Sequence, residues 1–255
     1  MADKDLINNN ILVTGASKGI GYAIADYLML QGACVAVHFN SGQDAARQLI
    51  SKYPNTRSRC FQADLSQKES VKTLFQDIIT AFGRLDSIVL NAGVFLAHPI
   101  SEHIDDWFEV WKRTLAINLD AVGLLTKLGI DYFKSQASGG RFIYIGSRAA
   151  LRGETQEYLA YAASKGGLTS LARSVARSFG KDNIKAFVVA PGFTRTQMAE
   201  AFIDTYGEER ILSEIALNEL TTPQDIAPLV GLMCSGLMDH ATGATIDVNA
   251  GSHIR

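Results

Sequence analysis

The chain has 255 residues, 47% of them apolar and 20% charged, with a mean hydropathy of +0.07, which excludes a disordered or fibrous chain. Twenty-four Lys and Arg against 26 Asp and Glu leave a formal charge of −2, so no electrostatic footprint for nucleic acid or an acidic membrane surface is present. Cys34, Cys60 and Cys234 are too few and too scattered for a disulfide framework or a zinc site. No run approaches the roughly 18 apolar residues of a membrane span. The first ten residues are polar and lack the apolar stretch of a secretory signal, so a cytoplasmic protein is expected.

The first strand is predicted over Ile11–Thr14. It runs into a glycine-rich turn, Thr14-Gly15-Ala16-Ser17-Lys18-Gly19-Ile20-Gly21, and then a helical stripe of Ile20, Ala23, Ile24, Tyr27 and Leu28. Further strands are predicted at Cys34–His38, Ser58–Gln62, Ser87–Leu90, Arg141–Ile145, Ala186–Ala190 and Thr245–Val248. Several are continuous apolar runs, as expected of strands covered on both faces. Between the third and fourth lies a second stripe, Val71, Leu74, Phe75, Ile78 and Ile79, with Ser66 and Glu69 spaced as a capping box ahead of it. No linker, repeat or low-complexity tract interrupts the alternation. The expectation is an α/β fold over residues 1–255: one domain, a doubly wound parallel sheet of about seven strands with helices on both faces. Ligands of such sheets lie at the carboxyl ends of the strands.

The glycine turn sits at such an end. Glycines let the backbone approach a pyrophosphate, and the following helix N-terminus offers free N–H groups. The spacing is G-x-x-x-G-x-G rather than the commoner G-x-G-x-x-G. A carboxylate ending the second strand would bond an adenosine ribose diol and repel a 2′-phosphate. Phe39 and Asn40 stand there instead, followed by Ser41, and the next acid is Asp44. Lys18 adds a cation, so a 2′-phosphate is expected to be accepted. His38 is expected to be structural.

Of eight tyrosines only Tyr161 has a lysine four residues on, Lys165, which places both on one helix face. A nearby ammonium favours the phenolate and lowers the phenol's pKa, which suits a general acid/base for carbonyl–alcohol interconversion. Upstream, Phe142–Ser147 ends a strand with a hydroxyl at the ligand-binding edge.

Thr14–Gly21, Asp64, Asn91-Ala92-Gly93, Asn118, Ser147, Tyr161, Lys165 and Pro191-Gly192 follow one another at intervals that resemble the short-chain dehydrogenase/reductase family. The likeness is to its compact branch that includes the 3-oxoacyl-carrier-protein reductases, and it runs to Asn249-Ala250-Gly251. The resemblance implies a Rossmann-type sheet and an NADP-dependent oxidoreductase, with NAD as the alternative cofactor. It implies that Tyr161 donates a proton to the substrate oxygen, Ser147 orients that oxygen, Lys165 bonds the nicotinamide ribose, and Asn118 holds a relay water. Asp64 would meet the adenine, Asn91 and Gly93 would line the cofactor floor, and Thr196 would bond the carboxamide. Gly15, Ser17, Lys18, Gly19, Ile20, Gly21, Asn40, Ser41, Leu65, Ala92, Pro191, Gly192 and Thr194 complete the implied cofactor set, and no metal is implied. A non-catalytic nucleotide-binding module is the reading from another class.

Ser147 and Tyr161 are 14 positions apart, one more than is common in that family, and the intervening loop is unusually charged. Residues 196–220 read as an amphipathic helix, with Met198, Phe202, Ile211, Leu212 and Ile215 apolar, where the family keeps a substrate lid. A homotetramer is implied, with Gly166–Phe179 carrying apolar residues for a partner. The positions matching the basic residues that would receive an acidic carrier protein are Ser138 and Asp182, with Lys134 and Lys181 close by. A small free carbonyl or alcohol substrate is therefore expected, and Arg148 and Arg152 suit an anionic or polar one.

Overall fold

The computed structural model describes residues 6–196, 199, 203 and 207–254. Seven strands form one parallel sheet: β1 (Asn10–Val13), β2 (Cys34–Phe39), β3 (Arg59–Gln62), β4 (Ser87–Leu90), β5 (Gly140–Ile145), β6 (Ile184–Pro191) and β7 (Thr245–Val248). Their order is β3-β2-β1-β4-β5-β6-β7. Helices α1 (Gly19–Leu30), α2 (Gln43–Ser51), α3 (Lys68–Phe82), α4 (Ile104–Leu115), α5 (Ala121–Ser135), α6 (Ala149–Arg152), α7 (Leu159–Phe179), α8 (Glu208–Leu212) and α9 (Pro223–Ser235) fill the connections. The fold is the Rossmann-type α/β sheet expected.

The unbroken apolar strands have the physical cause inferred for them. Along β1, Leu12 joins one core while Ile11 and Val13 join the other, and Phe142 and Tyr144 part from Ile143 and Ile145 in the same way along β5. The first core is closed by α3, α5 and α7, the second by α1, α2 and α9. With both faces buried, neither side of a strand has use for a polar residue. The sequence of neighbours reverses between β1 and β4, and the crevice at such a switch point is where this architecture receives ligands.

Three expectations need correcting. Ser66 and Glu69 form no capping box: α3 starts at Lys68, the Ser66 amide and hydroxyl both donate to Asp64 Oδ1 (2.9 and 2.8 Å), and Glu69 pairs with Lys72. Asp64, two residues closer to the strand, outcompetes the helix for Ser66. A capping box does form at α9, between Thr222 and Asp225. The helix expected to reach residue 220 ends at Leu212, because the Ala216 amide leaves the helical ladder to donate to the Ala250 carbonyl (2.7 Å). Met198 and Phe202 lie outside the described residues. On α7, Leu168, Ala172, Val175 and Ala176 pack into the chain's own core rather than outward.

Candidate active site

The carboxyl ends of β1, β4, β5 and β6 surround a cavity of about 430 Å³. Gly15, Lys18, Gly19 and Ile20 form one wall, Asn91, Ala92 and Gly93 the floor, and Ser147, Tyr161 and Lys165 the wall opposite. Pro191, Gly192, Thr194 and Thr196 close the side beyond β6. Sequence reasoning missed Phe95 and Tyr158, whose rings stack at 3.8 Å, with Phe95 edge-on to Tyr161 at 4.8 Å.

The glycine turn is built for close approach. Gly15 and Gly19 have φ of +65° and +56°, a region that L side chains rarely adopt. Asn91 Nδ2 donates to the Thr14 and Gly15 carbonyls (2.8 and 3.2 Å), and Thr14 Oγ1 accepts from the Asn91 and Ala92 amides (2.9 and 3.0 Å). Asn91 therefore ties β4 to the turn instead of offering its amide to the cavity. The α1 N-terminus carries no side-chain cap and no acid in its first turn, which leaves its amides for an anion. His38 is buried beneath this turn. Its Nδ1 accepts from the Gly15 amide (3.0 Å), so Nε2 carries the proton and donates to the Ala63 carbonyl (3.1 Å). Burial pushes its pKa down to about 4, which keeps the acceptor lone pair on Nδ1.

At the far end of β2, Phe39 is packed in the second core, 3% exposed, so its side chain is withdrawn from the edge where a ribose would lie. Lys18, Asn40 and Ser41 are the exposed groups there, and Ser17 Oγ donates to the Ser41 carbonyl (3.2 Å). Asp64 is exposed, while Leu65 is buried and has only its backbone to offer.

Three elements converge on the catalytic side. Ser147 follows β5, and its Oγ accepts from the Ala149 amide (3.1 Å). Tyr161 and Lys165 lie on α7, whose start is held by His98: Nε2 accepts from the Ala160 amide (3.1 Å), and Nδ1 donates to the Glu157 carbonyl (2.7 Å). Asn118 lies in a π-helical turn (Ala116–Asp120) between α4 and α5, the kind of bulge often found at functional sites. Its Nδ2 donates to the Val94 carbonyl and Ser164 Oγ (2.9 and 3.2 Å), and its Oδ1 accepts from the Val94 amide (2.8 Å). With both amide hydrogens committed, the side chain positions the Gly93-Val94 segment, and a relay water would have to use the main chain. Lys165 Nζ donates to the Ile145 carbonyl (2.8 Å).

Electrostatics differ from expectation in one respect. Burial pushes the Tyr161 phenol up to about 12, against the downward pull of the Ser147 hydroxyl hydrogen-bonded to it, and Lys165 down to about 8. Lys165 Nζ lies 5.7 Å from the Tyr161 ring centre and is turned to the Ile145 carbonyl, so burial outweighs its pull on the phenol. At neutral pH the site holds a protonated phenol and a charged lysine, the state that donates a proton. The cradle without Cβ atoms, the uncapped helix end and the buried cation fit a nicotinamide dinucleotide.

Comparison with known proteins agrees. A family model described as enoyl-(acyl carrier protein) reductase matches residues 15–253. The chain is 31% identical over 251 residues to the (3R)-3-hydroxyacyl-CoA dehydrogenase of Mus musculus, covering 94% of each. It is 32% identical over 243 residues to the 3-oxoacyl-(acyl-carrier-protein) reductase FabG of Salmonella typhimurium, covering 95% of this chain and 96% of that one. Among solved structures, a short chain dehydrogenase from Burkholderia cenocepacia in complex with NADP superposes with a TM-score of 0.88 at 29% identity, covering 97% of this chain and 99% of that one.

Proposed function

The chain belongs to the short-chain dehydrogenase/reductase family and is an NAD(P)-dependent oxidoreductase interconverting a carbonyl and an alcohol; from that premise we propose that Tyr161 is its general acid/base. What supports the reading is the meeting of Ser147, Tyr161 and Lys165 in one cavity with the glycine turn. A nicotinamide bound in this cavity would supply the hydride for the carbonyl carbon. Tyr161 delivers its phenolic proton to the oxygen, and Ser147 donates a hydrogen bond that orients it. Lys165 places a positive charge beside the phenolate left behind. Gly15, Gly19 and the α1 amides would hold the pyrophosphate, Gly21 is buried against the Gly15 carbonyl and lets α1 approach the turn, and Asn91, Ala92, Gly93, Thr194 and Thr196 would line the nicotinamide half. Asp64 and Leu65 would flank the adenine.

NADP is the preferred cofactor in this reading, supported by Lys18, Asn40 and Ser41 standing exposed where no carboxylate intervenes. Asn40→Asp should move preference toward NADH by about tenfold, the scale of one close like-charge contact. Phe39→Asp is a poorer probe, because it would bury the carboxylate in the core. Titration of both cofactors checks the claim: tighter NADH than NADPH in the unmodified protein contradicts it.

The substrate is a free ketone or aldehyde, or the matching alcohol, rather than a carrier-bound acyl group. Lys134, one of the two lysines near the expected docking positions, is 3.6 Å from Asp182 and shares its charge with that acid. Short free carbonyl compounds should turn over without a carrier. A much faster carrier-bound 3-oxoacyl substrate, with an advantage that fades as salt rises, would overturn this.

Residues 196–220 act as a lid in the same reading, supported by Ile211 of α8 reaching the cavity. A homotetramer is supported by Ile104 and Phe108 standing exposed on α4, and a mass of four chains by light scattering checks it. No described helix is long and apolar enough to cross a membrane. The cytoplasmic reading, which fractionation tests, rests on free thiols at Cys34, Cys60 and Cys234.

A further inference from the structure

The cavity carries a second polar feature that proton transfer does not use. Arg148, the residue after Ser147, is 7% exposed and lines the cavity, and its Nη1 is buried without a hydrogen-bond partner among the described residues. A guanidinium stays charged under all working conditions, so an idle buried donor on it is costly unless something arrives to meet it. Among the described residues its ion-pair partner is Glu214, 3.8 Å from Nη2, and the same carboxylate is 4.0 Å from Arg152 Nη1. Both gaps exceed a hydrogen bond, and one half-exposed glutamate serves two arginines. Arg210 and Glu154 complete the charged lining on this side, where three arginines face two glutamates among the described residues. Glu154 is itself raised by burial, which weakens its hold on a negative charge. Arg148, Arg152 and Glu154 belong to the loop lengthened between Ser147 and Tyr161, whereas Arg210 lies on α8 and Glu214 just after it.

We propose that the substrate carries a carboxylate on the same small molecule as the reacting carbonyl, and that Arg148 and Arg152 bind it in place of Glu214. The proposal rests on the carbonyl–alcohol reading and narrows it to oxo acids and their hydroxy-acid partners. Guanidinium forks match carboxylates in bidentate geometry. Because Arg148 adjoins Ser147 in the chain, fixing the carboxylate also fixes which carbonyl meets Tyr161. Glu214 then serves as an internal stand-in that holds the arginines until an anion displaces it.

The test compares 2-, 3-, 4- and 5-oxo acids with their methyl esters, using the full-length enzyme and NADPH. The best acid should exceed its ester in kcat/KM by about tenfold to a hundredfold, the worth of a charge-assisted pair. Arg152→Gln, at a half-exposed position, should raise KM for the acid about tenfold more than for the ester, and Arg148→Lys should do the same while keeping the charge. Glu214→Gln should lower KM for the acid, a gain that a damaged fold does not produce. Equal kcat/KM for acids and esters in the unmodified enzyme, with both turning over, overturns the carboxylate site and leaves the carbonyl reading standing. No turnover of either series overturns both. Faster turnover of a 3-oxoacyl-CoA thioester than of any free acid assigns the arginines to a different anion and overturns the proposal as stated.

Discussion

Tyr161→Phe is expected to turn over about 10²–10⁴-fold more slowly than the unmodified enzyme, the usual worth of a positioned proton donor. NADPH binding should stay within about twofold, since the lost group acts on the substrate oxygen. The substitution isolates the hydroxyl. The phenyl ring keeps its edge-on contact with Phe95 at 4.8 Å, and the backbone of α7 remains anchored through Ala160 and His98. Ser147 and Lys165 stay in place, so residual activity measures orientation and charge without the acid. The loss should fall on kcat rather than KM. Unimpaired turnover would remove Tyr161 from the chemistry altogether.

Gly21→Ala is expected to damage both the fold and the cofactor site. A Cβ at Gly21 would lie 2.3 Å from the Gly15 carbonyl oxygen and 2.4 Å from Asn91 Nδ2. Neither neighbour can yield cheaply. The first is backbone in a turn held at positive φ, and the second donates the hydrogen bonds that lock β4 to that turn. Overpacking of this kind costs about 3 kcal/mol, or about 6–12 °C in Tm for a domain of this size. The turn must open to accept the methyl group, so affinity for NADPH should fall at least about tenfold as its amides lose their aim. Thermal unfolding and cofactor titration on one preparation read both effects. An unchanged Tm with unchanged affinity would show that α1 does not approach the turn as closely as this geometry requires.

Legibility in the sequence follows from how local each signal is. The strands were readable because burial on both faces leaves unbroken apolar runs, and the glycine turn because its residues are contiguous. Ser147, Tyr161 and Lys165 were readable because one strand end and one helix face fix their relation. Other features depend on partners distant in the chain. His38 gains its role only where Gly15 and Ala63 meet it, and His98 only where it reaches Ala160, 62 residues on. Phe39 sits between His38 and Asn40, but because both faces of β2 are buried no polar–apolar alternation reveals which way it turns. Ser66 and Glu69 have the spacing of a capping box, yet Asp64 takes the serine first. The Phe95–Tyr158 stack joins two loops that no periodicity connects.

The most direct measurement is the transfer of deuterium from NADPH carrying deuterium at both nicotinamide C4 positions to a ketone substrate, with the product analysed by mass. The account predicts one deuterium at the carbinol carbon for each NADPH consumed by the unmodified enzyme, and almost none in the same time with Tyr161→Phe. NADPH that binds tightly yet is never consumed, across a broad panel of ketones and aldehydes, would contradict it and leave a nucleotide-binding module without chemistry.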